Sequence, residues 1–285
     1  MSTKTKALLY IFAAAFCFSL MNMLAKIVGQ RGIPYLEIAF ARAFIGLILV
    51  TGYMLATKQS FKIHNRRALG LRVVFGVSAM FAVFYSLTHM PLAESVTLFN
   101  TRPIFIALLG WLWLKEKPTI ATMTSIALAF IGVWFIFAPS TKYFMTSMLA
   151  LYAGIAMAIA MLALRKLGES DQALPIIFYF SLWASIATLV CGASDFQMPD
   201  LVSFVLLFLM GVIVTIAQVL MTWAYALTQA AFVGAGGSIA VVCSALLGFF
   251  YFNEPLSLPA LLGITLIVIS MLGLLLQRTR REPTR

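Results

Sequence analysis

Arg102 is the residue with the clearest potential for chemistry, because it lies within a long apolar run of the sequence. Counting from Pro91 places it about eleven residues into a predicted helix, which is about 16 Å along the helix axis. An arginine buried this deeply in apolar surroundings normally faces a cavity or a partner. Its planar fork of donors suits a carboxylate or a phosphate. We therefore predict that Arg102 faces a bound solute, and the alternative is an internal ion pair with Glu94.

Pro103 and several polar or aromatic residues surround this position in the predicted arrangement. Pro103 removes a backbone hydrogen bond and crowds the carbonyl of Phe99, which predicts a kink beside the arginine. In the second half of the chain, Ala240 occupies the matching position within a run of small residues, which is typical of close helix packing or of space for a solute. The further predicted binding residues are Asn100, Tyr85, Ser78, Gln218, Thr222, Trp223 and Ser238. Tyr225 could line the same pocket, and for both Trp223 and Tyr225 an anchor at the membrane interface is the alternative.

Three charged residues near predicted helix starts are candidates for gating or coupling. Glu94 begins helix 4, where a carboxylate is favoured by the free amides and the helix dipole. Glu37 and Arg42 open helix 2, and Lys26 precedes them on the same predicted side. An ion-pair cluster of these residues is plausible there. Proton coupling through Glu94 and solute contact by Arg42 are the sharper alternatives.

The elements that carry these residues are membrane-spanning helices. The chain has 285 residues, of which 62% are hydrophobic and only 10% charged, which is too apolar for a water-soluble fold. Its apolar runs are of the length that a helix needs to cross a bilayer, and they do not alternate as barrel strands do. We predict an all-α membrane protein with ten helices at 7–28, 34–57, 69–90, 92–114, 119–138, 146–166, 173–193, 201–226, 230–252 and 257–277.

The distribution of basic residues predicts the orientation of these helices. With the N-terminus inside, fifteen of the twenty fall on the cytoplasmic side: Lys4, Lys6, Lys58, Lys62, Arg66, Arg67, Arg72, Lys115, Lys117, Arg165, Lys166, Arg278, Arg280, Arg281 and Arg285. Three fall outside, namely Lys26, Arg31 and Lys142. The positive-inside rule then places both termini in the cytoplasm, and we predict a multi-pass protein of the cell inner membrane.

Two ordered matches indicate an internal repeat. Residues 107–116 read ALLGWLWLKE and residues 245–254 read ALLGFFYFNE, while YSLT at 85–88 resembles YALT at 225–228. Because each half has five predicted helices, the second half enters the membrane from the opposite side. We predict inverted halves at 1–138 and 139–285, an arrangement suited to alternating access.

At these residues the chain resembles the drug/metabolite transporter superfamily, specifically its EamA-like branch of ten-helix carriers. The resemblance rests on Lys26 at the end of helix 1, on FARAFIGL with Arg42, and on YSLTHMPLAESVTLFNTRPIFIALLGWLWLKEKPT. YALTQAAFVGAGG and ALLGFFYFNEPLS complete it. The resemblance implies a carrier. Relatives usually have a small residue before this proline, so Arg102 departs from the pattern and favours an anionic or carboxylate-bearing cargo.

We therefore predict a secondary-active or facilitative transporter of a small organic metabolite, amino-acid-like or otherwise carboxylate-bearing. The alternatives are an efflux transporter for cationic compounds and, behind it, a channel or a structural membrane subunit. Enzymatic motifs such as HExxH and GxSxG are absent from the sequence, as is a nucleotide-binding GxxxxGK[ST]. No cofactor, metal or nucleic acid is expected. The predicted partners are the solute and the lipid bilayer, with proton coupling and a homodimer left open.

Overall fold

A computed structural model describes residues 3–102, 104–106, 108–109, 120–137, 143–227, 238–254 and 257–281. Within these ranges the chain forms helices and no strand, which confirms the predicted all-helical class. Ten helices have bounds within the described residues: α1 Thr3–Gln30, α2 Tyr35–Ala56, α3 Arg66–His89, α4 Leu92–Phe99, α5 Ile120–Phe137, α6 Phe144–Leu167, α7 Ala173–Gly192, α8 Leu201–Leu227, α9 Ser238–Phe252 and α10 Leu258–Arg281. A short 3-10 turn, Ala193–Asp195, follows α7.

The lengths and the apolar outer surfaces of the helices suit a lipid environment. Six of them, α1, α2, α3, α6, α7 and α8, are long and apolar enough to cross a membrane. Large apolar side chains also cover the outside of the bundle: Val190 is 78% exposed and Trp134 is 71% exposed. Helices suit this environment because every backbone hydrogen bond is made within the segment.

Helix α3 begins three residues earlier than the sequence predicted, at Arg66 rather than residue 69. The side chain of Asn65 accepts a hydrogen bond from the amide of Ala68 at 3.1 Å and so caps the first turn. The earlier start changes the position of Arg72, which now lies six residues into the helix, about 9 Å from its end.

Helix α4 is shorter than the continuous helix predicted at 92–114. It ends at Phe99, and Asn100 and Thr101 form a turn before the chain becomes helical again at Arg102. Gly154 of α6 packs directly against this turn, since a Cβ there would lie 2.9 Å from Thr101 Oγ1 and 3.1 Å from the carbonyl of Leu98. This turn precedes Pro103, which lies outside the described residues, so the kink predicted there stays a prediction.

The contacts between helices show the internal repeat. When both helix numbers of a contacting pair are shifted by five, so that α1 corresponds to α6 and α3 to α8, several pairs become other contacting pairs. The contact of α1 with α8 has its counterpart in α6 with α3, and α2 with α8 has its counterpart in α7 with α3. Likewise α1 with α9 corresponds to α6 with α4. The pairs α2 with α7, α4 with α9 and α5 with α10 each map onto themselves under the same shift.

At the end of the bundle where α3 begins, Asp171 joins two connections. Its carboxylate accepts hydrogen bonds from the amides of His64 at 2.6 Å and Asn65 at 3.2 Å, and from the hydroxyl of Ser170 at 2.7 Å. Burial acts to raise the pKa of Asp171, but these hydrogen bonds outweigh it and hold the pKa below its ordinary value. The α2–α3 and α6–α7 connections are therefore tied together.

Candidate functional site

Three arginines from the first half of the chain line one central cavity of about 70 Å³. Arg42 comes from α2, Arg72 from α3, and Arg102 from the segment after α4. Uncharged polar groups complete the lining, namely Asn22, Asn100, Gln218 and Tyr225. None of the lining residues that the structure describes is acidic. Among them the cavity therefore concentrates positive charge without an opposing carboxylate.

Arg72 is the most deeply buried of the three, with 2% of its surface exposed. Its guanidinium lies over the ring of Phe180 on α7 at 4.2 Å, within cation–π range. Gly76, one turn along α3, leaves room for it, because a Cβ there would lie 2.5 Å from Arg72 Nη1. Arg72 Nε and Nη1 are buried and have no hydrogen-bond partner in the described part of the chain.

This position corrects the sequence interpretation of Arg72, which counted it among the basic residues of the cytoplasmic side. The predicted helix start at residue 69 left Arg72 near the membrane surface, whereas the observed start at Arg66 carries it inward. The spacing of Arg72 and Gly76 could have indicated a buried arginine. Residues four apart are neighbours on one face of a helix, so the small residue leaves room for the large side chain.

Arg102 reaches the cavity from the turn that interrupts the α4 region. Its Nη2 donates to Asn100 Oδ1 at 3.0 Å, and its guanidinium lies 4.7 Å from the centre of the Phe99 ring. Arg102 Nε is buried without a partner among the described residues. The alternative of an ion pair with Glu94 is wrong in this structure, where the described contacts of the guanidinium are to Asn100 and Phe99.

Helix α8 contributes a polar face to the same cavity. Gln218 and Tyr225 are seven residues apart, which places them two turns apart on one side of the helix. Of the two aromatic residues that the sequence offered as pocket residues on this helix, Tyr225 lines the cavity. Thr222 is buried between them, but its hydroxyl donates to the Gln218 carbonyl at 2.7 Å and does not line the cavity. Asn22 of α1, 6% exposed, was missed although a buried amide within an apolar helix is a recognisable signal.

Other predicted binding residues lie elsewhere. Tyr85 stacks on His89 with ring centres 4.1 Å apart, and Ser78 donates to the Phe75 carbonyl at 3.1 Å. Neither lines the cavity. Trp223 is 44% exposed, lies against Tyr10 and is not among the lining residues, and its alternative as an anchor at the membrane interface stays a prediction. The structure does not describe the side chain of Ser238.

The second half presents a small residue to the cavity where the first half presents arginine. Ala240 lines the cavity and is 4% exposed. Its carbonyl accepts a hydrogen bond from Ser19 of α1 at 3.4 Å. The lining is consequently charged on the side of α2, α3 and the α4 region, and uncharged on the side of α1, α8 and α9.

A separate ion pair closes the end of the bundle where α4 begins. Lys26 of α1 pairs with Glu254 Oε1, and its Nζ also donates to the Met90 carbonyl at 2.8 Å. Glu254 Oε2 accepts from the amide of Leu92 at 2.9 Å, so it satisfies a free amide at the start of α4. Glu94 lies near this pair and interacts electrostatically with both partners.

The cluster predicted from Glu37, Arg42 and Lys26 is therefore wrong. Lys26 is held by Glu254, and Arg42 faces the cavity. Glu37 is 6% exposed and accepts a hydrogen bond from the amide of Gln197 at 2.9 Å. Sequence proximity misled here because the partners of Lys26 and Glu37 come from distant segments of the chain.

Comparison with known proteins places this arrangement in a family. The EamA-like transporter family matches residues 5–138 and again residues 144–276. This chain belongs to the EamA-like transporter family. It is accordingly a membrane transporter, and not an enzyme, and the resemblance to the drug/metabolite transporters is confirmed.

Relatives within the family carry different solutes. The chain is similar to the pseudopaline exporter CntI of Pseudomonas aeruginosa, with 29% identity over 94% of each protein. It is 26% identical to a riboflavin transporter of Vibrio cholerae, over 92% of this chain and 90% of the relative. An S-adenosylmethionine uptake transporter of Rickettsia bellii is 23% identical over 82% of this chain and 80% of the relative. The relatives are thus transporters of metabolites.

A solved crystal structure has the same fold. It superposes with a TM-score of 0.70 and 20% sequence identity, covering 98% of this chain and 99% of that chain. The whole helical bundle therefore follows an architecture already observed in a crystal.

Proposed function

We propose that this transporter carries a small organic anion, most simply a carboxylate-bearing metabolite, held in the central cavity by Arg42, Arg72 and Arg102. The observation that carries the proposal is the set of buried guanidinium N–H groups on Arg72 and Arg102 that have no hydrogen-bond partner among the described residues. A buried donor left unpaired costs about 1–3 kcal/mol. A bound carboxylate would satisfy these donors through charge-assisted hydrogen bonds.

Charge argues against the alternative of cationic efflux. Three guanidiniums line the cavity, and its described lining includes no carboxylate. A cation placed there would be repelled in surroundings of low dielectric constant, where unscreened like charges interact strongly. The uncharged groups Asn22, Gln218 and Tyr225 add hydrogen-bonding capacity that suits a solute with further polar atoms.

We further propose that transport proceeds by alternating access between two inverted five-helix halves, 1–138 and 139–285. The shift of five helices in the helix pairings and the double match of the family support this division. The one-sided basic residues support an N-in, C-in orientation in the cell inner membrane. Exchange of conformation between such halves exchanges the side from which a central site opens.

The state seen here fits a closed stage of that cycle. A cavity of about 70 Å³ is small beside the roughly 300–1,000 Å³ of common ligand sites, so helices must separate for most metabolites to enter. We assign the ion pair of Lys26 and Glu254 as a latch on the outer side, because it joins α1 to the segment after α9 and to the start of α4. Glu94 beside the latch, and more distantly Glu37, are the groups we propose for proton coupling. A homodimer also stays a prediction.

The test begins with purified protein and a panel of organic acids, amines and neutral metabolites screened for thermal stabilisation. Binding to the native state raises the apparent stability, and we expect the stabilising compounds to bear carboxylates. Selected compounds are then measured for uptake into liposomes. The relatives include both an exporter and an uptake transporter, so both orientations of the gradient are assayed.

Arg102→Ala is expected to abolish solute binding and transport while the protein stays folded. Arg67→Ala is the matched control, because Arg67 is exposed on the first turn of α3 and does not line the cavity. Unchanged transport by Arg102→Ala would overturn the site, and stabilisation by amines alone would overturn the anionic cargo.

A further inference from the structure

A groove on the outer surface of the bundle runs between α3 and α7 and has a volume of about 990 Å³. We call it the α3–α7 groove. Its mouth is formed by the connection that precedes α3, with Lys62 and Arg66 at the rim. Its walls are apolar and include Leu69 and Val73 from α3 and Tyr179 and Trp183 from α7. The groove is separate from the arginine-lined cavity.

The rim of the groove carries two basic side chains, Lys62 and Arg66. Lys62 and Arg66 are both exposed, and neither is in an ion pair within the part of the chain that the structure describes. His64 also lies at the rim, where its Nδ1 is 3.1 Å from Asp171. That carboxylate is already engaged by the hydrogen bonds from the connections around it. An anionic group at the rim would therefore meet two free cationic side chains.

The depth of the groove matches one leaflet of a bilayer. Trp183 lies ten residues after the start of α7 at Ala173, which is about 15 Å along the axis. Val74 lies eight residues after the start of α3, about 12 Å along that helix. The hydrocarbon core of a bilayer is about 30 Å thick, so the apolar walls extend over about half of it. An acyl chain of a lipid in one leaflet occupies that interval.

A missing side chain opens the groove. Gly70 lies on the α3 wall, and a Cβ at this position would meet nothing within 4 Å. Trp183 on the opposite wall is 51% exposed, which leaves its ring available to an apolar occupant. The combination of a cationic rim and an open apolar slot is complementary to a lipid with an anionic headgroup.

We propose that the α3–α7 groove binds an anionic phospholipid, with its phosphate between Lys62 and Arg66 and one acyl chain along α3 and α7. The rim cations recognise the headgroup charge, and the apolar walls bury the chain. The lipid would hold α3 against α7, and Arg72 and its ring partner Phe180 lie on these same two helices. The proposal does not depend on which solute the transporter carries.

The proposal is tested by native mass spectrometry of the purified, delipidated full-length protein titrated with phosphatidylglycerol or with phosphatidylcholine. We expect stronger retention of phosphatidylglycerol by the wild type. In Lys62→Gln/Arg66→Gln, that retention should fall roughly tenfold or more, because each basic residue near an anionic headgroup contributes severalfold to binding. The control Arg67→Gln/Lys166→Gln removes the same charge from exposed residues outside the groove and should retain the lipid.

A second pair of variants tests the apolar slot. Gly70→Leu fills the groove and should weaken phosphatidylglycerol binding, whereas Gly52→Leu on α2, where the surroundings are equally open, should not. Millimolar inorganic phosphate should fail to displace the lipid, because it lacks the acyl chain. Equal retention of the two lipids, equal losses in the two charge pairs, or equal effects of the two glycine variants would each overturn the proposal, as would displacement by phosphate.

Discussion

Replacement of Arg72 by Met separates the two roles that a buried arginine can have, because stability and solute binding should change in opposite directions. Met keeps most of the apolar stem of the side chain and removes the guanidinium. In the structure that guanidinium is stacked on Phe180 and leaves Nε and Nη1 without partners in the described part of the chain. If the guanidinium of Arg72 serves to bind a solute, the solute-free protein should be more stable when the guanidinium is removed.

The magnitude follows from these contacts. Two unpartnered buried donors cost about 1–3 kcal/mol each. The lost cation–π contact with Phe180 is worth about 0.5–2 kcal/mol. The free energy of unfolding of Arg72→Met should therefore rise by about 1–3 kcal/mol, which is a shift in Tm of several degrees at roughly 2–4 °C per kcal/mol. A charge-assisted hydrogen bond contributes about 1.5–3 kcal/mol, so the affinity for a carboxylate-bearing solute should fall roughly 10- to 150-fold.

The assay is thermal unfolding of the purified variant in detergent, with and without a carboxylate solute that stabilises the wild type. Arg67→Met is the control, since it removes an exposed arginine from the same helix outside the cavity and should change neither quantity appreciably. A lower Tm for empty Arg72→Met, together with undiminished stabilisation by the solute, would refute the reasoning and make Arg72 a structural residue.

Two further predictions concern charges outside the cavity. Lys26→Met should lower the free energy of unfolding by about 3 kcal/mol, because it leaves the largely buried Glu254 without its cation. The double variant Lys26→Met/Glu254→Gln should recover part of this loss in chemical unfolding. A loss as large as in the single variant would contradict the pairing. Asp171→Asn should cost about 1–2 kcal/mol at pH 7. Because folding lowers the pKa of Asp171, its contribution is present above the ordinary pKa of about 3.9 and is lost as the pH falls through the folded value, so the difference from wild type should shrink in unfolding measured below about pH 4. A difference that does not change with pH would count against it.

Much of the fold was predictable because apolar runs in lipid have few ways to satisfy their backbone. Each of the ten predicted helices has a counterpart among the helices with described bounds, and most of these ends lie within a few residues of the prediction. The exceptions have local causes. Asn65 caps α3 earlier than the hydrophobic pattern indicates, and the turn at Asn100 and Thr101 ends α4 where Gly154 packs against it.

The site was predictable only in part. Depth along a helix pointed to Arg102, and the cavity does include it with Asn100 and Gln218. The same estimate of depth was wrong for Arg72, because α3 begins three residues earlier than predicted and this places Arg72 inside the bundle and not near the membrane surface. The polar character of Ser78 and Thr222 did not indicate a place in the cavity, because their hydroxyls donate to carbonyls within their own helices.

The sequence by itself determined the class of this protein: its apolar composition requires lipid, its helix-length runs require a helical bundle, and its motifs identify an EamA-like transporter. Only the tertiary structure decided which charges meet. Hydrophobic pattern fixes how far along its own helix a side chain lies, whereas the neighbours it faces depend on how helices from both halves pack. That packing brings Arg42, Arg72 and Arg102 to one cavity whose described lining holds no acid, and it pairs Lys26 with Glu254 from the opposite end of the chain.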